Sequence, residues 1–205
     1  PRPTFKRSLI PYAYISPTAA LLLVLMMLPI ILVIGYSFFD NVIVNKNPEF
    51  VGLANYVEIL TDGVFAQALG NTLYFTFVSV GAHLVLGLSF AMLLNTRLLS
   101  SLSKALFRAI YVMPWLFTVA IIAVLWRLLL NPNGVINYVI ITLGLSDTGI
   151  EWLSSRDTAL IAVTFINIWA GYPFFMVSLL AGLQGIPRDL YEAATVDGAN
   201  PIQQF

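Results

Sequence analysis

The residues able to do chemistry in this chain are few. His83 is the single histidine and cysteine is absent, which excludes thiolate nucleophiles, disulfides, zinc–thiolate centres and any multi-histidine metal site. No Gly-x-x-x-x-Gly-Lys-Ser/Thr run is present to cradle nucleotide phosphates. His-Glu-x-x-His, Gly-x-Ser-x-Gly and paired carboxylates within an apolar stretch are missing as well. The sequence therefore predicts no catalytic residues and no metal ligands. Carriers driven by protons or sodium usually bury an Asp, Glu or Lys within a span, and the apolar stretches here hold none. What remains is two polar or small-residue stripes inside apolar stretches, and one polar segment near residue 190.

The first stripe is Thr72, Thr76, Ser79, His83 and Gly87, which fall within about 80° on a helix turning about 100° per residue. Such a stripe either admits a neighbouring helix closely or walls a translocation path, with His83 touching solute. The second is Thr164, Asn167, Gly171, Phe174, Ser178 and Gly182, again on one face. It contains Gly171-Tyr172-Pro173, where proline removes a backbone donor and predicts a kink or unwound turn near mid-membrane. Broken helices there can offer backbone groups to a polar solute, whereas a kink in a packed bundle does not. Trp169 and Tyr172 project to the opposite face. Asn167, Gly171, Phe174 and His83 are thus the candidate solute-path residues. Arg127, near the outer end of its stretch, snorkels to the headgroups.

The polar segment runs from Gly185 to Ala199 and reads as a short helix. Pro187 sits near its first turn, Asp189 suits the positive end of the helix dipole, and Gly198 can take the left-handed stop position. Ala193 and Ala194 let another surface approach closely. A helix this short is unstable alone, so it must dock on its own bundle or on a partner.

These groups must be held by elements that cross a membrane. Of 205 residues, 59% are hydrophobic and 10% charged, with mean hydropathy +0.88; a soluble domain has about 45–50% apolar and about 25% charged residues. Ten basic residues balance ten acidic ones, so no basic excess exists to hold nucleic acid. The fold class is an all-α membrane protein, a polytopic helical bundle. Four stretches reach the roughly 20 residues a span requires: Tyr14–Phe38, Asn71–Leu94, Ile110–Leu130 and Leu160–Leu180. They are continuous apolar runs, as helices and not barrel strands require. Arg2, Lys6, Arg7, Arg97, Lys104, Arg108 and Arg188 lie on one side, against Lys46 and Arg156 on the other. The positive-inside rule then places the N-terminus and residues 184–205 in the cytoplasm. The division expected is residues 1–65, with the tail, first span and first outer loop, and residues 66–205, a partial core with spans two to four.

Leu53, Tyr56, Val57 and Leu60 recur at helical spacing, predicting a short amphipathic helix that lies on the outer surface or caps the span ends. Asn131-Pro132-Asn133-Gly134 is a turn signal, and Val135–Leu145 after it reads as an interfacial or re-entrant helix.

Around Glu192 the sequence resembles the permease subunits of binding-protein-dependent ABC importers of type I, in the carbohydrate-uptake branch of maltose and glycerol-3-phosphate permeases. Glu192, Ala193, Ala194, Asp197 and Gly198 match the first half of the family's cytoplasmic signature. Phe50-Val-Gly-Leu-Ala-Asn-Tyr56, Leu69-Gly-Asn-Thr-Leu73, Arg108-Ala-Ile-Tyr-Val-Met-Pro114, Leu130-Asn-Pro-Asn-Gly134 and Gly182-Leu-Gln-Gly-Ile-Pro187 resemble the branch in the same order. The resemblance implies six spans, of which four are present here, in a prokaryotic inner membrane. It implies a second permease subunit, two ATP-binding subunits that carry ATP and magnesium, an external solute-binding protein and a sugar-like solute. It also implies that the Glu-Ala-Ala segment is the coupling helix docked on an ATPase. The residues alone leave open a self-contained carrier or channel for a small polar solute.

Overall fold

The computed structural model describes residues 5–40, 47–96 and 99–205. Arg2, Lys46 and Arg97 lie outside the described residues, as do the side chains of Lys6 and Arg7. The chain divides into two units, residues 1–69 and 70–205.

The first unit carries α1 (Phe5–Tyr36), α2 (Ala54–Thr61) and the opening turns of α3 (Gly63–Asn95). Three prolines, Pro11, Pro17 and Pro29, sit within α1 without ending it. α2 is the amphipathic segment read from the sequence, and it is tied down rather than free. Asn55 Nδ2 donates to the carbonyls of Ser37 and Phe39 at 2.9 and 3.1 Å. The Tyr56 and Ser37 hydroxyls share a hydrogen bond of 2.6 Å. These bonds take up carbonyls just past the end of α1, where helix geometry leaves acceptors without partners. α2 is therefore a cap, and it leaves Leu53, Val57 and Leu60 exposed.

The second unit holds the rest of α3, then α4 (Ser101–Leu116), α5 (Val119–Leu129), α6 (Val135–Thr142), α7 (Ala159–Gln184), α8 (Arg188–Val196) and α9 (Pro201–Gln204). Among the described residues, three helices are long and apolar enough to cross a membrane: Pro11–Tyr36 of α1, then α3 and α7. The single crossing expected over Ile110–Leu130 is instead a broken one, with α4 and α5 meeting at 95°; counted as one span, it brings the number to four. Phe117 and Thr118 are extended at the break, with ψ of 138° and 154°. Pro114 removes one N–H from the last turn of α4, and Thr118 starts a new helix by accepting from Ile121 N. Of the kink or unwound turn expected at Gly171-Tyr172-Pro173, the unwound turn is not formed, since α7 runs as continuous helix through Pro173.

Two apolar clusters organise this unit. Ala91 and Leu94 of α3 meet Met176 and Leu180 of α7, with Phe107 and Tyr111 of α4 against them. Trp126 and Leu130 meet Ala162, with Trp152 and Trp169 alongside. α6 is the short helix expected after the Asn131–Gly134 turn, and Asn137 fixes it. Asn137 is fully buried, donates to Asn131 O and Ile150 O, and accepts from Ile150 N and Trp152 Nε1 at 2.9–3.1 Å. One amide thereby satisfies four partners and clamps the loop between α5 and α7.

Candidate functional site

The first stripe splits. Ser79, His83 and Gly87 are buried, continuing into Ala91 and Leu94, whereas Thr72 and Thr76 are exposed. The buried part is the seam with α7. His83 is 8% exposed, and its Nε2–H donates to the Asn167 carbonyl oxygen at 3.1 Å. Its ring stacks on Phe175, centroids 5.1 Å apart. Gly171 makes room for it, because a Cβ there would lie 2.5 Å from His83 Nε2. Gly87 does the same for Phe175, where a Cβ would come within 2.6 Å. Small residues let the helices close, and the imidazole supplies a cross-helix bond.

The second stripe splits too. Thr164 is buried and its hydroxyl is spent on Leu160 O at 2.6 Å. Gly171 faces His83. Asn167 is half-buried, and its side-chain amide has no hydrogen-bond partner among the described residues. Phe174 and Ser178 are exposed on the same side. Trp169 and Tyr172, read as pointing the other way, pack inward: Trp169 lies 5.4 Å from Trp126, and Tyr172 lies 5.3 Å from Phe90.

The break between α4 and α5 comes beside this face. Trp115, just before it, approaches Phe174 at 6.0 Å, and Phe117, within it, stacks near Trp169 at 6.4 Å. A half-helix ending here leaves α4 carbonyls, and one starting here leaves α5 N–H groups, without partners inside their own helices. The Trp115–Phe174 pair thus lies beside the break, and Asn167 lies two turns before Phe174 on the same face of α7. Reading Ile110–Leu130 as a uniform apolar run concealed this; Pro114 followed by Thr118 was the available signal.

α8 is the helix expected near residue 190. It starts after Pro187 and ends in a Schellman turn, in which Gly198, at φ +79°, donates to Thr195 O and Ala199 donates to Ala194 O. Arg188, Tyr191, Glu192 and Thr195 recur at i, i+3, i+4 and i+7 and line a cleft of about 600 Å³ facing Lys104 and Arg108 of α4. By the same rotation Leu190, Ala193, Ala194 and Asp197 form the opposite face, on which Leu190 is 59% exposed. α9, which sequence reading missed, folds back on α8 through Gln204 Nε2, bonded to Ala199 O at 2.8 Å. Asn200 and Gln203 form its capping box, a pattern visible in the sequence.

A family model described as the binding-protein-dependent transport system inner membrane component matches residues 83–205. The chain belongs to this family. The match covers α7, α8 and the broken α4–α5 pair together. Among relatives, the trehalose/maltose transport system permease protein MalF of Thermococcus litoralis is 36% identical over 202 residues, covering 98% of this chain and 67% of that one. The sn-glycerol-3-phosphate transport system permease protein UgpA of Yersinia pestis is 30% identical, covering 100% of this chain and 68% of its own length. Of solved structures, a bacterial ABC transporter involved in import of the acidic polysaccharide alginate superposes with TM-score 0.72 at 26% identity, covering 97% of this chain and 65% of that one. A related structure holds the alginate transporter with an alginate pentasaccharide-bound periplasmic protein, at TM-score 0.73 and 25% identity. The chain spans about two thirds of the length of the relatives it matches. Membership in this permease family favours a subunit of a larger transporter over a self-contained carrier.

Proposed function

We propose that this chain is the membrane-spanning permease subunit of an ATP-driven importer, and that α8 is its coupling helix. The observation that carries the reading is α8 itself, a short helix with one face lining a cleft against the bundle and with Leu190, Ala193, Ala194 and Asp197 on the other. Small side chains on that face let a partner groove close over it, and Gly198 ends the helix so that its length fits one groove. Glu192 lies on the cleft side of α8, turned away from Ala193 and Ala194. With no phosphate-cradling loop in the sequence, nucleotide and magnesium belong to two ATP-binding partners, whose closure moves α8 and rocks the bundle. A second permease subunit and an external solute-binding protein complete the assembly in a prokaryotic inner membrane, with the N-terminus cytoplasmic as the basic residues direct.

The solute is sugar-like. Supporting this are the sugar and polyol-phosphate names of the relatives and the Trp115–Phe174 pair beside the half-helix ends at Phe117 and Thr118. Aromatic faces suit the C–H faces of a pyranose, and a polar amide suits its hydroxyls. Asn167 and Phe174 line the path, while Gly171 and His83 hold α3 against α7 behind them. The test is Ala193→Trp in the full-length, assembled transporter. The variant inserts in the membrane normally, but ATP-binding subunits no longer co-purify with it and uptake is lost. Normal co-purification and uptake would remove α8 from the coupling role.

A further inference from the structure

The cleft between α4 and α8 is cationic. Lys104, Arg108 and Arg188 line it against the single carboxylate of Glu192, and among the described residues none of the four is in an ion pair. Lys104 and Arg108 stand one turn apart, so both charges rise from the same face of α4. Like charges gathered this way repel unless an anion joins them. A second groove, of about 170 Å³, opens beside the first, shares Arg108 and Gln184 with it, and runs along Met176, Leu180 and Ala181 of α7. A soluble anion has use for the first cavity only. A charged pocket continued by an apolar trench along a spanning helix fits an amphiphile. Gln184 is the last residue of α7, which puts the charged pocket where that helix leaves the hydrocarbon.

We propose that an anionic phospholipid occupies this site, its phosphate among Lys104, Arg108 and Arg188 and one acyl chain in the α7 groove. Basic pockets between spanning helices at headgroup level have the chemistry for this. The headgroup then sits under α8 and restrains its attitude on the bundle, a role separate from what docks on the opposite face of α8.

The experiment is native mass spectrometry of the complete transporter released from nanodiscs holding equal phosphatidylglycerol and phosphatidylcholine. Phosphatidylglycerol is retained in preference, K104Q/R108Q lowers its retention by roughly 30-fold, and the charge-preserving K104R/R108K keeps it. Millimolar inorganic phosphate leaves retention unchanged. Equal retention of both lipids, or full retention by K104Q/R108Q, would overturn the proposal. Displacement by inorganic phosphate would reassign the pocket to a soluble anion, and retention by the isolated subunit but not by the complex would assign it to a partner chain; either overturns it. If K104Q/R108Q fails to assemble, the lipid preference of the wild-type complex and the phosphate challenge decide. No transport readout is involved, so the lipid site and the coupling role of α8 fail independently.

Discussion

Gly171 and His83 are one structural unit, and neither is interchangeable. A Cβ at Gly171 would lie 2.5 Å from Nε2 and 2.7 Å from Cε1 of His83. The ring cannot swing aside freely, because it is bonded to Asn167 O and stacked on Phe175. Gly171→Ala should therefore destabilise the protein by about 1–3 kcal/mol, the usual range for overpacking, read as a lower melting temperature of the purified transporter. G171A/H83A should recover part of that loss, since removing the imidazole frees the space. Strict additivity of the two changes would show that the seam is not what constrains them.

Helix ends, more than helix bodies, decide what these elements do. Gly198 has φ +79°, a conformation that costs L-residues roughly 1–2 kcal/mol but that Asn visits more easily than β-branched residues. In the assembled transporter Gly198→Val should lose most uptake while inserting normally, and Gly198→Asn should keep most of it; equal uptake by the two would mean the Schellman turn does not set the length of α8. That turn was legible because its determinants are local: proline before, glycine after, and an acidic residue in the first turn. The capping box at Asn200 was equally local. The break at Phe117-Thr118 was not. Hydropathy sees one apolar run from Ile110 to Leu130, with Arg127 its single charge, and a 95° turn between two apolar half-helices changes no residue type. Conversely, Pro173 allowed an unwound turn, yet α7 stays helical through it, with Met176 and Leu180 packed on one side and Phe175 against Gly87 on another. Asn137 shows the same limit, since its partners Ile150 and Trp152 lie thirteen and fifteen residues away.

At the scale of the second unit, α7 has two packed flanks and one open strip. His83 and Phe175 close the flank towards α3, Met176 and Leu180 pack where α3 and α4 meet, and Trp169 closes the flank towards α5. Asn167, Phe174 and Ser178 are left between them, next to the ends of α4 and α5. In a hydrocarbon environment an uncommitted amide there is costly, so a strip of this kind is retained only where water, solute or a partner subunit meets it. Sequence periodicity placed Asn167, Gly171 and Phe174 on one face but could not divide them, because a few tens of degrees of rotation separate a residue in the seam from one on the open strip. The division makes a prediction that the stripe alone does not. In the full-length transporter with its partners, Asn167→Ala and Phe174→Ala should leave the melting temperature and basal ATP hydrolysis near wild type while lowering solute-stimulated hydrolysis. A lost hydrogen bond to solute is worth about 1 kcal/mol and a lost aromatic contact about as much, so each variant should need roughly fivefold more loaded binding protein for half-stimulation. His83→Ala should do the reverse, lowering the melting temperature first and changing stimulation only as the fold weakens. If Asn167→Ala and Phe174→Ala behave like His83→Ala, the open strip is packing surface for another chain, and the solute passes elsewhere.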